Sequence, residues 1–144
     1  MKCIAIRQPW AWLVVHGYKD IENRTWPSFY RGPILVYASS QLDLAAATVV
    51  REYRRLRVPI PPTDQLARGQ IVGLVNVLGC VDDHESEWFC GPYGLVMANP
   101  IAFPVGVPLK GQPGIFDVDD ALVPSVYLRP QPVSPASRVV ALGV

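Results

Sequence analysis

Lys19, Glu22 and Arg24 fall in the short run GYKDIENRTW, from Gly17 to Trp26. If this run is a strand, alternate spacing puts Glu22, Arg24 and Trp26 on one face and Lys19 at its mouth. A carboxylate set between an ammonium and a guanidinium can do two kinds of chemistry. It can accept hydrogen bonds from an amino group while the cations hold a phosphate or carbonyl. It can also act as a general base on water, with Lys19 and Arg24 stabilising the developing oxyanion. The plainer alternative is a ladder of surface ion pairs, worth little. The neighbouring aromatic residues argue against it. Trp10, Trp12, Trp26 and Trp88 flank the charges in sequence, and rings beside charged hydrogen-bonding groups are what stacking and reading an unpaired base require. Core packing is the default for Trp10, which leaves Trp12, Trp26 and Trp88 as the expected stacking platform.

The elements that position these residues can be read on either side. Cys3 to Arg7 alternates as a strand, and Pro9 suits the first position of a following helix. Trp10, Leu13, Val14 and Gly17 share the spacing of a buried face, while Trp12 and His16 lie four apart on another. Gly17 fits a left-handed C-cap. Gly32-Pro33 turns the chain into Ile34 to Ala38, an apolar strand. Ser40 with Asp43 approximates a capping box for a second helix, whose stripe is Leu42, Ala45, Ala46, Val49, Tyr53 and Leu56. Arg51, Arg54, Arg55 and Arg57 gather at its C-terminal end, where the helix dipole favours positive charge.

Val58 to Pro62 is an extended linker, and Thr63 caps a short turn that stops at Gly69. Ile71 to Val81 reads as the central strand, bent at Gly73 and Gly79. Asp82, Asp83, Glu85 and Glu87 surround His84 in an exposed acidic loop that ends in Trp88-Phe89. Tyr93 to Ala98 and Ile101 to Phe103 read as a strand broken at Asn99-Pro100, followed by an excursion from Pro104 to Gly114 and a closing strand from Ile115 to Val118. Pro124, Pro130, Pro132 and Pro135, with no periodic apolar pattern, mark 119–144 as an extended or disordered tail that docks at its end.

Composition narrows the function. One domain fits 144 residues. The net charge of +1 provides no global attraction to nucleic acid, so any phosphate binding must be local. Three cysteines at irregular spacing and the lack of a leader-like N-terminal run point to a reduced, cytoplasmic setting. No apolar run reaches the ~20 residues of a membrane span. Cys80, His84 and Cys90, with His16, match no paired zinc-ligand pattern, so neither metal nor cofactor is expected.

Several of these motifs resemble one family. Arg7-Gln8-Pro9-Trp10-Ala11, Gly17-Tyr18-Lys19-Asp20-Ile21-Glu22-Asn23-Arg24, Arg31 to Ser39, Ile71 to Val75, Trp88-Phe89 with Gly91-Pro92, and Lys110 to Phe116 are together similar to the activating-signal-cointegrator homology (ASCH) domain. The resemblance implies an α+β fold, a small mixed β-barrel of the pseudouridine-synthase-and-archaeosine-transglycosylase (PUA) type with two main helices, over residues 1–118. It also implies binding of RNA or a modified nucleoside in a cleft between barrel and first helix. Arg7, Gln8, Trp10, Lys19, Glu22, Arg24, Trp26 and Ser39 would line that cleft, with Trp12, Glu87 and Trp88 as further contacts.

Some members of the family are metal-independent amidohydrolases of N4-acylated cytidine. They carry a lysine, a threonine three residues on, and a later glutamate. Lys19 stands at the lysine position, Glu22 at the threonine position, and Glu85 or Glu87 near the glutamate. A threonine hydroxyl can be a nucleophile activated by a base; a carboxylate cannot take that role in the same way. The expected function is therefore binding, with the amidohydrolase as the alternative. A ribonuclease or a protein-interaction module using the proline-rich tail comes third.

Overall fold

The computed structural model describes residues 1–128. Eight main elements follow the chain: β1 (Lys2–Gln8), α1 (Trp10–Val15), β2 (Ile21–Arg24), β3 (Gly32–Leu42), α2 (Ala47–Arg55), β4 (Gln70–Val81), β5 (Tyr93–Pro108) and β6 (Ile115–Asp117). The strands form one six-stranded mixed sheet in the order β2-β5-β4-β3-β1-β6. Only β1 and β3 run parallel, with Ala5 opposite Tyr37; the other neighbours are antiparallel. The fold is α+β, as expected. The pairing does not join the β2 edge to β1 or β6, so the expected barrel is seen only as a sheet with an open seam. Among the described residues no helix is long and apolar enough to cross a membrane.

Helix α1 packs on the sheet through Ala11, Leu13, Val14 and Val15, all buried. Ala11, Val14 and Val15 join Ile4, Ile6, Ile34, Val36, Val75 and Leu95 in the main core, while Leu13 packs with Val50 and Ile60. Fully burying one such aliphatic side chain contributes about 1.5–3 kcal/mol, so this face fixes where α1 ends. Gly17, at φ +84°, supplies the left-handed turn. The N–H groups of Gly17 and Tyr18 donate to the carbonyls of Val14 and Leu13, closing a Schellman motif that aims the chain into Lys19 and β2.

Strand β4 lies inside the sheet, and its register slips beside Gly73 and Gly79, where bends were expected. Two readings of the flanking chain are corrected. β5 is continuous from Tyr93 to Pro108. Asn99 takes φ +51°, and the register jumps from Ala98 to Ile101 against Asn76 and Leu74, so Asn99-Pro100 is absorbed as a bulge rather than a break. The excursion then shrinks to 109–114. The second correction concerns Ser40, which does not cap a helix. It lies in β3, which runs on to Leu42 opposite Gln8. Asp43 caps instead, accepting from the Ala45 N–H at the head of a 3-10 turn that leads into α2. Ala45 and Leu56 of the expected stripe are exposed, and Ala46 and Val50 carry the burial.

Packing continues past residue 118. Val118 and Val123 are buried in a second core with Leu35, Ile71 and Phe116, and Tyr127 stacks on Phe103 at 4.3 Å. The rest of the tail expected over 119–144, residues 129–144, lies outside the described residues.

Candidate functional site

Lys19 leaves the Schellman turn pointing inward and is only 6% exposed. A buried ammonium must find acceptors, and this one has several. Its Nζ donates to the Ile21 carbonyl and to Glu22 Oε2, the latter at 3.3 Å. The rings of Trp10 and Trp88 lie 5.8 and 5.9 Å away, in cation–π range. Glu22 sits between two cations, its Oε1 3.9 Å from Arg24 Nε. The Glu22 and Arg24 side chains are 12% and 16% exposed. Burial pulls the Arg24 pKa below the ordinary guanidinium value, and Glu22 pushes it back up. Arg24 Nη2 donates to the Ala5 carbonyl at 2.6 Å, and its guanidinium lies 5.5 Å from the Trp26 ring. Arg24 thus spans the open seam from β2 to β1.

The seam is a cleft of about 510 Å³. Ala5 and Arg7 of β1 share a face with Tyr37, Ser39 and Gln41 of β3 and form one wall. Glu22 and Arg24 form the opposite one, Trp10 closes an end, and the 111–114 loop closes the other. The seam contains two arginines against one carboxylate. Gly111 is required here because a Cβ at that position would lie 2.5 Å from Cζ of the Tyr37 ring, which is itself fixed by its hydroxyl donating to the Leu109 carbonyl.

Of the residues expected at the site, Arg7, Trp10, Glu22, Arg24 and Ser39 line this cleft. Trp26 stands behind Arg24, and Lys19 behind Glu22 and Trp10. Gln8 is buried with both ends of its amide used internally: Nε2 donates to the Ala67 carbonyl and Oε1 accepts from the Trp12 N–H. It braces the β1–α1 junction. The tryptophans divide otherwise than core packing suggested. Trp10 faces the cleft, its Nε1 donating to Asp43 Oδ2 at 2.8 Å. Trp12 lies on another surface, stacked on His16 at 4.1 Å and near Tyr18. Trp88 stacks on Tyr53 at 5.4 Å and meets Trp10 edge-on.

Glu85 and Glu87 are exposed, and Glu87 accepts from the Tyr53 hydroxyl, away from the cleft. The arginines of α2 lie outside the cleft lining; Arg55 pairs with Glu52, and Arg54 donates to the Pro61 carbonyl. Among the described residues no three His, Cys, Asp or Glu side chains gather around a common point. Cys3 is buried, which pushes its thiol up to about 12 against the pull of the nearby N-terminal ammonium. Such a thiol is inert.

Sequence reasoning missed Tyr37, Asp43 and the 111–114 loop as site components. The period-two spacing of Tyr37 and Ser39 was a usable signal for the first. Asp43 and the loop reach the site only through tertiary packing.

This arrangement defines a small α+β domain with a polar cleft at the open edge of its sheet, and the chain belongs to the ASCH domain family, whose model matches residues 4–114. Among known proteins it is 27% identical over 133 residues to activating signal cointegrator 1 of Homo sapiens. It is 26% identical over 133 residues to the Mus musculus protein of the same name. Each match covers 83% of this chain and 22% of the relative, so the chain spans well under half the length of the curated relatives it matches. A crystal structure of a mutant ASCH protein from Zymomonas mobilis aligns with a TM-score of 0.50 at 13% identity, covering 98% of this chain and 94% of that one. That likeness concerns the fold.

Proposed function

We propose that this domain binds single-stranded RNA and seats one base, or a modified nucleoside, in the seam of a PUA-like barrel. The observation that carries the reading is Glu22, a carboxylate held between Lys19 and Arg24 in the wall of an open cleft whose end is an indole ring. A preorganised carboxylate accepts from a base or ribose donor, Trp10 offers a ring for stacking, and Arg7 at the exposed rim offers a phosphate contact. Family membership supports the same reading.

The test is fluorescence anisotropy with a labelled single-stranded RNA across a range of salt. Arg7→Ala is expected to weaken binding for every sequence and to reduce the slope of log K against log salt by about 0.7, as loss of one phosphate contact to a single strand requires. Arg31→Ala, on an exposed residue outside the cleft, is expected to leave it unchanged. Equal loss in both variants would overturn the placement of RNA in the seam.

The 3.3 Å contact between Lys19 and Glu22 favours a second reading, an amidohydrolase of N4-acylated cytidine with Glu22 as general base. Binding is preferred because Lys19 spends its donors on Ile21 and Glu22 and does not line the cleft. Mass-spectrometric release of free acid from N4-acetylcytidine, lost in Glu22→Gln, would reverse that preference.

A further inference from the structure

The cleft exposes main chain as well as side chains. β6 pairs with β1 only as far as Ile4 opposite Ile115. One residue on, the Ala5 N–H donates to the Gly114 carbonyl, and the Ala5 carbonyl accepts from Arg24. Both polar groups of Ala5 therefore point away from β3. Strand alternation turns the main chain of Arg7, two residues further, in the same direction. The intervening geometry agrees, since the Gln8 carbonyl points to the β3 side and accepts from the Asp43 N–H at 2.8 Å. Arg7 has no register partner in β3 or β6, and among the described residues no turn or loop backbone group bonds its N–H or C=O. The seam therefore offers one donor and one acceptor at an open strand edge, with the Glu22 carboxylate in the opposite wall.

A flat ligand bridging these groups must present an acceptor beside an amino group. The acceptor takes the Arg7 N–H, one amino hydrogen goes to the Arg7 carbonyl, and the other goes to Glu22. Adenine and cytosine have this pattern on their pairing edge, an exocyclic amino group next to an unprotonated ring nitrogen. Uracil has no amino group: it presents a ring N–H between two carbonyls, so with that N–H on the Arg7 carbonyl an oxygen would face the Glu22 carboxylate and leave it unpaired. Resting on the reading that the cleft binds RNA, we propose that it selects amino-bearing bases such as adenine and cytosine over uracil, by pairing them with the free edge of β1 at Arg7 and with Glu22.

The experiment compares hexanucleotides of cytidine, adenosine and uridine by anisotropy at fixed salt. The wild-type protein is expected to prefer the cytidine and adenosine oligomers over the uridine one by about tenfold, the usual discrimination of a bidentate base contact. In Glu22→Gln, whose amide can turn to offer either donor or acceptor, that preference is expected to collapse while uridine binding persists. Amide NMR of the wild-type protein gives a readout free of any variant's folding: the Arg7 N–H resonance should shift on adding the cytidine hexamer, and that of Ile6 should not. Equal or tighter binding of uridine, or an unmoved Arg7 amide, overturns the selection while leaving RNA binding in place. Binding of none of the three overturns the parent reading as well.

Discussion

Replacing Glu22 with leucine is expected to cost about 3 kcal/mol of stability, in the range found when one partner of a buried ion pair is removed, and to abolish RNA binding. Both effects have one cause. Glu22 is the carboxylate within 4 Å of the Lys19 ammonium and the Arg24 guanidinium, and all three side chains are largely withdrawn from water. Without it, two like charges face each other across an apolar side chain, and the Nε of Arg24, already buried without a partner, loses its nearest anion.

Lys19→Met should cost less, about 1–2 kcal/mol, because Glu22 keeps Arg24 as a neighbour and the apolar stem still packs between Trp10 and Trp88. The double variant should be more stable than the sum of the single losses implies, as coupled groups require. Urea unfolding of the four proteins measures this. A Glu22→Leu variant within about 0.5 kcal/mol of wild type, the range of ordinary surface substitutions, would show that the three charges are an exposed ladder after all.

Gly73→Ala is expected to lower stability by about 3 kcal/mol, at the upper end of ordinary overpacking. An added Cβ would run into the Ile101 carbonyl oxygen on β5 and would lie 2.6 Å from Val15 Cγ1 on α1. Neither neighbour can yield easily. Val15 is buried and β-branched, with few rotamers to try, and the Ile101 carbonyl belongs to the strand beside β4. The methyl must push α1 off the sheet or spread β4 from β5. Because α1 carries Trp10 and the turn to Lys19, the damage should reach the cleft. Thermal unfolding should show a midpoint lower by about 6–12 °C, from the usual relation between free energy and midpoint at this size. An unchanged midpoint would mean that α1 does not pack against Gly73 as described.

Much of this arrangement could be read from residue types. Gly17 ended α1 because a left-handed turn suits glycine, and that turn fixed the start of the Lys19–Arg24 run. Gly73 and Gly79 marked the bends of β4 because a strand interior gains nothing from glycine unless something approaches closely. The pairing of Glu22 and Arg24 on one face followed from alternation alone.

Other features depended on tertiary partners that local pattern does not encode. Ser40 has the chemistry of a cap, but pairing of β3 with β1 holds it in a strand and passes the cap to Asp43. Asn99-Pro100 looks like a strand end, yet asparagine tolerates positive φ and the chain continues through a bulge. Lys19 read as a group at a strand mouth, whereas indole rings drawn from α1 and from the loop before β5 bury it. Trp10 read as core for the same reason: only the joining of β1, β2 and the 111–114 loop around one seam turns its ring into a cleft wall.

The most direct test of the seam as the RNA site is zero-length ultraviolet crosslinking of the full chain to a mixed-sequence single-stranded RNA, with the attached peptides mapped by mass spectrometry. Crosslinks are predicted at Trp10, at Tyr37 and within the 111–114 loop, the ring and backbone groups that enclose the cleft. Crosslinks confined to Trp12, Tyr18 and Tyr53, a ring cluster outside the cleft in which Trp12 stacks on Tyr18 and Tyr18 meets Tyr53 edge-on, would place the RNA elsewhere and contradict the account.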